Sequence, residues 1–247
     1  MTSPSTSPIV QLSDVHKVYR LGKVEVPALK GIDLSIAAGE FAVIAGPSGS
    51  GKTTLLNLIG CVDVATRGKV MVDGLDTGTL SESALTRLRL ERLGFIFQSF
   101  NLVGVLDAFD NVEFPLLLQG RLSKAERRKR VEAIMDAVGL RETMHHRPNE
   151  LSGGQRQRVA IARALVTQPR IVMADEPTAN LDSKTGYQII DVMKQLNHDE
   201  GTTFIFSTHD PKVMGQADRS IVLIDGRISV AGVPDDGRLD VHQSALV

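Results

Sequence analysis

Four short runs along the chain are apolar on consecutive positions: Phe41-Ala-Val-Ile-Ala45, Phe95-Ile-Phe97, Ile171-Val-Met-Ala174 and Thr203-Phe-Ile-Phe-Ser207. A strand covered on one face alternates, whereas a strand covered on both faces does not, so these runs predict buried parallel strands. Leu34-Ser-Ile36 and Val70-Met-Val-Asp73 have mixed patterns beside glycines and predict short antiparallel strands towards the amino-terminal end. Between residues 101 and 147 the strand pattern stops. There Ser123 and Glu126 have the spacing of a capping box, and Val131, Ile134, Met135 and Val138 form one apolar stripe, which predicts a helix over residues 123–139. A second helix is predicted over Arg156 to Val166, with Val159, Ile161, Ala162 and Leu165 as its apolar face and Ser152 as a cap before it. The expected fold is α/β: a core of parallel strands with an antiparallel β margin and an α-helical subdomain, about residues 101–168, inserted in it. Residues 1–8 and the stretch from 233 onward are polar and are expected to be loose tails around a domain at 9–232.

Composition narrows the function classes. There are 28 basic and 29 acidic residues among 247, a net charge of −1, which argues against bulk electrostatic binding of nucleic acid. Cys61 is the only cysteine, so neither an internal disulfide nor a thiolate-rich metal site is available, and a reducing compartment is expected. The start, Met1 to Pro8, has neither the basic nor the apolar region of a secretory signal. The apolar runs are strand-sized, so any tie to a membrane is expected to come through a partner.

Gly46-Pro47-Ser48-Gly49-Ser50-Gly51-Lys52-Thr53 fits the P-loop pattern, directly after the strand at 41–45 and before the apolar run Leu55 to Ile59. Glycines let the chain curl so that consecutive N–H groups face phosphate oxygens, and the following helix adds its positive end. Lys52 then suits the β- and γ-phosphates and Thr53 the Mg²⁺ ion, while Thr54 either supports the α-phosphate or caps the helix. The pattern alone does not separate kinases, GTPases and ATPases. Asp175-Glu176 adds a second element: Asp175 closes a buried strand, where a carboxylate can hold Mg²⁺, and Glu176 follows where it can polarise water for hydrolysis. Leu151-Ser152-Gly153-Gly154-Gln155 opens the second predicted helix and is another helix start suited to an oxyanion.

The run Leu151 to Gln155 resembles the signature of the ATP-binding-cassette (ABC) ATPases, and the resemblance extends over about residues 9–232. It implies ATP and Mg²⁺ as ligands and a head-to-tail homodimer, in which Ser152, Gly153, Gly154 and Gln155 of one copy close over ATP held by Lys52 of the other. It further implies that Tyr19 stacks on adenine, that Gln98 senses Mg²⁺ and the partner, that Asp182 is the aspartate of the loop after the Asp-Glu pair, and that His209 contacts the γ-phosphate. Val24 to Gly31, Phe97 to Leu102 and Asp175 to Asp182 are similar to the macrolide-exporter and lipoprotein-releasing branch, although prolines common in that branch are missing from 101–106 and 61–68. That branch works with an integral membrane subunit, so the expectation is an ATPase bound peripherally at the cytoplasmic face of the membrane. Control of a membrane-bound or extracellular enzyme is the alternative, and a soluble ATPase acting on DNA or ribosomes a further one.

Four other features bear on partners, metal binding or the core. Arg127-Arg-Lys-Arg130 is either a solvated helix face or a contact for lipid headgroups or an acidic partner. Part of the segment with Phe100, Leu102, Val103, Val105 and Leu106 is expected to lie at a groove that receives a helix of the membrane subunit, burial inside the helical subdomain being the alternative. His145-His146 reads as a polar loop and Cys61 as a small core residue.

Overall fold

The computed structural model describes residues 8–97, 99–178, 181–208 and 211–232. The expectations for Gln98, for His209, for residues 1–7 and for the tail from 233 concern positions outside them. The chain begins with two long strands, β1 (Val10–Leu21) and β2 (Val24–Ile36), then β3 (Phe41–Ala45), helix α1 (Lys52–Ile59), β4 (Arg67–Val72) and β5 (Leu75–Asp76). Next come α2 (Glu82–Arg92), β6 (Leu93–Ile96), and three helices, α3 (Ala108–Gln119), α4 (Lys124–Ala137) and α5 (Gly153–Leu165). The chain returns through β7 (Ile171–Asp175), α6 (Ser183–Glu200), β8 (Thr203–Ser207), α7 (Pro211–Met214), β9 (Arg219–Ile224) and β10 (Arg227–Gly232).

Two sheets result. One is antiparallel in the order β2-β1-β4-β5, and the other runs β10-β9-β3-β8-β7-β6, parallel except for the β9–β10 pair. The consecutive apolar runs are explained by cover on both faces. Phe41, Val43 and Ala45 point into a core shared with α3 to α6, while Ala42 and Ile44 point into one shared with α1, α2 and the antiparallel sheet. The alternation of two along a strand divides one short apolar run between two cores.

The antiparallel margin is larger than the pattern suggested. The short strand expected at 34–36 is the end of the thirteen-residue β2, and the twelve-residue β1 was not anticipated. β2 carries Pro27 and Gly31, which read as breakers, but it lies at the edge of its sheet, where a proline costs no ladder bond inside the sheet. β1 loses its alternation at register shifts between Leu12 and Val15, between Val15 and His16, and between Lys17 and Val18. The strand expected to reach Phe97 ends at Ile96.

The helices begin where their side chains stop the chain from fraying. Ser123 and Glu126 form the capping box of α4, and Ser152 and Gln155 form one at α5. The basic cluster on α4 is partly neutralised: Arg127 pairs with Glu113 at 2.8 Å and Arg128 with Glu132 at 2.7 Å. His145 lies in an exposed loop, 3.1 Å from the Asp107 carboxylate, and no three His, Cys, Asp or Glu side chains among the described residues gather as a metal-binding group. No helix among them is long and apolar enough to cross a membrane.

Strand β6 packs close against α5 because Gly94 has no side chain. A Cβ there would lie 2.6 Å from the Ala164 carbonyl oxygen, which belongs to a helix backbone and cannot rotate away. Gly94→Ala is therefore expected to destabilise the fold by about 1–3 kcal/mol, measured as a lower urea midpoint with an unchanged slope.

Candidate functional site

The parallel order β3-β8-β7 brings three strand ends to one edge of the sheet, the place where ligands bind in folds of this kind. At the end of β3 the chain turns through Gly46 (φ 148), Gly49 (φ 79) and Gly51 (φ 106) into α1. Gly46 has no room for a side chain, since a Cβ would lie 2.1 Å from the Leu223 carbonyl oxygen on β9. Inside the loop Lys52 Nζ donates to the carbonyls of Gly46 and Pro47, at 2.8 and 2.9 Å. The ammonium is thus parked on the rim of the loop. Ser48 and Gly49 are exposed, whereas Ser50 is buried and its hydroxyl has no hydrogen-bond partner.

At the end of β7, Asp175 meets the loop directly. Thr53 Oγ1 donates to Asp175 Oδ2 at 2.9 Å, and Ser207, at the end of β8, donates to Oδ1. Asp175 and Ser207 are cross-strand partners, so the strand register itself brings hydroxyl and carboxylate together. Glu176 then leaves the strand with a left-handed backbone, φ 48, an uncommon conformation for such a residue, held by its amide donating to the Ser207 carbonyl at 2.9 Å. A hydroxyl and a carboxylate oxygen side by side are the hard donors that suit Mg²⁺, and the curled glycine loop with an adjacent cation suits a polyphosphate. The residues present fit both groups.

Tyr19, at the end of β1, lies beside this loop, its phenol hydrogen-bonded with Thr54 and with Asp63 Oδ2, the latter at 3.0 Å. Thr54 is thereby occupied on the Tyr19 side of α1. Lys17, almost fully buried, donates to Asp63 Oδ1 at 2.6 Å and to the Val64 carbonyl at 2.9 Å, and sits 4.9 Å from the centre of the Tyr19 ring. Burial pushes the phenol above its ordinary pKa. It also pushes the Asp63 carboxyl up, but the bonds from Lys17, the Val64 amide and Tyr19 outweigh burial and hold it below the usual carboxylate range. Cys61, behind α1, is buried as expected, and burial raises its thiol to about 11.

The turn Ser152 to Gln155 is a formed helix start. Ser152 Oγ accepts from the Gln155 amide at 3.2 Å and Gln155 Oε1 accepts from the Ser152 amide at 2.8 Å. Gly154 lies next to Leu181, whose Cδ2 would be 3.4 Å from an added Cβ. Asp182, the neighbour of Leu181, caps α6 by accepting from the Thr185 amide at 3.0 Å, and bonding to Thr185 holds its carboxyl below the usual range. No hydrogen bond or ion pair among the described residues joins 152–155 to the loop 46–53. Within one chain, then, Tyr19 and the 46–54 loop meet Asp175 and Glu176 at one edge, while Ser152 to Gln155 lie against Leu181, the neighbour of Asp182.

Three supporting residues escape a reading of the sequence. Ser207 had a signal, a polar residue ending an apolar strand as Asp175 does. Lys17 and Asp63, 46 positions apart, had none.

Such a loop, strand-end carboxylate and sheet order define a P-loop nucleotide-binding protein. Residues 29–179 match the model of the family described as ABC transporter, and the chain belongs to that family. It is 44% identical over 232 residues to the lipoprotein-releasing system ATP-binding protein LolD of Anaeromyxobacter dehalogenans, covering 94% of this chain and 97% of that one. It is 44% identical over 236 residues to the macrolide export ATP-binding/permease protein MacB of Brucella melitensis, covering 96% of this chain but 36% of that longer protein. Among solved structures, the dimeric post-hydrolysis state of the ATP-binding cassette MJ0796 of Methanocaldococcus jannaschii, bound to ADP and Pi, superposes with a TM-score of 0.87 at 46% identity, covering 91% and 98% of the two chains. The expected family, branch and fold are therefore all met. The chain is an ATP-binding cassette with ATPase activity, the ATP-driven subunit of a membrane complex.

The Asp63 bonds have a pH signature. A carboxyl held below its unfolded pKa adds stability that is complete above that unfolded value and is lost as pH falls through the folded one. Asp63→Asn should therefore cost about 1–2 kcal/mol at neutral pH in denaturant titrations, with the gap to wild type closing below about pH 4.

Proposed function

We propose that two copies of the chain pair head to tail around two ATP molecules, and that closing and reopening of the pair drives a membrane subunit on the cytoplasmic side. The observation that supports it is that no hydrogen bond or ion pair among the described residues joins the 152–155 turn to the 46–53 loop of the same copy; a second copy would bring such a turn to the phosphates. The dimer of MJ0796 with ADP and Pi supports this arrangement.

In this reading Lys52 leaves the Gly46 and Pro47 carbonyls for the phosphates, a low-barrier exchange of one set of oxygens for another. The amides of Gly49 to Thr53 face the polyphosphate, Tyr19 stacks on the base, and Ser152, Gly153, Gly154 and Gln155 of the second copy close over the γ-phosphate. Thr53 and Asp175, with Gln98, would hold Mg²⁺, which when bound neutralises charge on the phosphate oxygens. Glu176 orients and deprotonates the attacking water, and Lys52 stabilises the charge that builds on the transferring phosphoryl group. His209 reports on the terminal phosphate, and Asp182 acts at the junction of the two copies.

A groove of about 550 Å³ opens between α2, β6, α3 and α5, lined in part by Leu90, Phe95, Phe97, Pro115 and Leu118. We assign it to a helix of the membrane subunit. From the segment 100–106 it includes Asn101 alone; Val103 and Val105 are exposed outside its lining. Leu118, more than half exposed among the described residues, is a suitable contact for an apolar helix.

Two experiments test the pairing. Glu176→Gln should lower ATP turnover by about 100-fold or more while an ATP-loaded dimer accumulates on a sizing column. Lys52→Ala and Gly154→Asp chains, each inactive alone, should regain up to about a quarter of wild-type turnover when mixed, because a head-to-tail mixed dimer has one intact site. No recovery on mixing would rule the head-to-tail arrangement out.

A further inference from the structure

Arg156 and Arg163 lie seven residues, about two turns, apart on α5, and both reach back to the segment that follows β6. The Arg163 guanidinium donates to the carbonyls of Phe100 and Asn101, at 2.7 and 2.6 Å. The Arg156 guanidinium carbon is 5.4 Å from the centre of the Phe100 ring. The two receiving residues both have left-handed backbone, φ 60 at Phe100 and φ 49 at Asn101. Asparagine tolerates that conformation, but phenylalanine adopts it only where its surroundings impose it.

The acceptors of Arg163 are main-chain oxygens, and burial lowers its pKa. A partly dehydrated cation without its bonds is costly, so these two charge-assisted bonds resist opening. The planar fork of arginine also matches two consecutive carbonyls in a way that a lysine ammonium does not.

Position gives the contact its use. Phe100 and Asn101 follow Gln98 by two and three residues, and Asn101 and Arg163 both stand in the wall of the groove. Arg163 is eleven residues along the helix from Ser152, about 16 Å at the rise of an α-helix. One side chain thus touches the groove wall and the segment after Gln98 while belonging to the rod that ends in the 152–155 turn.

We infer that Arg163 is a positioning residue that locks residues 100–101 to α5, so that displacement of the groove wall reaches the 152–155 turn as movement of one rigid piece. The inference rests on the groove being the seat of the membrane subunit. Arg163 acts through Phe100 and Asn101 and contacts no nucleotide. When it is lost, the left-handed pair relaxes towards ordinary backbone and the wall moves independently of the helix.

The test uses the full chain, alone and reconstituted with its membrane subunit in lipid nanodiscs, and reads the ratio of ATP turnover in the complex to that of the free chain. Arg163→Met should reduce this ratio about tenfold. Arg163→Lys should give an intermediate ratio, since an ammonium matches two consecutive carbonyls less well than the guanidinium fork. Independently of the partner, amide hydrogen exchange over residues 99–106 of the free chain should rise in Arg163→Met. A folded Arg163→Met chain with wild-type ratio and exchange overturns the inference; if that variant does not fold, wild-type values in Arg163→Lys do so. A wild-type ratio of one overturns the groove assignment instead, and the exchange measurement then decides the lock alone.

Discussion

Parallel register is the constraint on which the site depends. β3, β8 and β7 are neighbours running the same way, so the phosphate-type loop, Ser207 and the Asp175-Glu176 pair arrive at one edge without any long-range search. Apolar cover on both faces keeps the three strands in place. Because a slip of one residue would exchange the two cores, Phe41, Val43 and Ala45 going where Ala42 and Ile44 belong, the packing protects the alignment of the chemistry.

Several polar groups of this edge bond to one another within the chain. Lys52 rests on loop carbonyls, Thr53 and Ser207 donate to Asp175, and Tyr19 is fixed by Asp63 and Thr54. In the proposed function each such contact exchanges for one to a phosphate, a cation or a base at small net cost, since one oxygen or charge replaces another. The edge is therefore both preorganised and ready to bind. Glu176 is different: it is held in a left-handed conformation by its backbone, which sets where the carboxylate leaves the strand.

The second half of the machinery lies on α5. Its capped amino end carries the Ser152 to Gln155 turn, its middle joins the core through Val159, Ile161 and Ala162, and its far end meets Gly94 of β6 and the segment after it. In the proposed arrangement a single helix links the interface between copies to the groove assigned to the membrane subunit. ABC family membership makes this economy intelligible, because ATP-driven pairing has to be felt at a distance from the phosphates.

Local segments were legible in the sequence. The 46–53 loop, the 41–45, 171–174 and 203–207 strands and the capping boxes at Ser123 and Ser152 each depend on a few consecutive residues whose conformational limits are intrinsic: glycines that turn, apolar runs that need cover, hydroxyls that cap. Order among distant pieces was not. Lys17 meeting Asp63, Ser207 facing Asp175, the bulged β1, the edge strand β2 with its proline, and Arg163 closing on the carbonyls of 100–101 all depend on strand register and helix packing, which no short window of sequence specifies. The amino-acid order determined which chemistry the chain carries, because that is written in contiguous motifs. Tertiary packing alone decided which side chains hold those motifs in position, because those contacts exist only once both cores have closed.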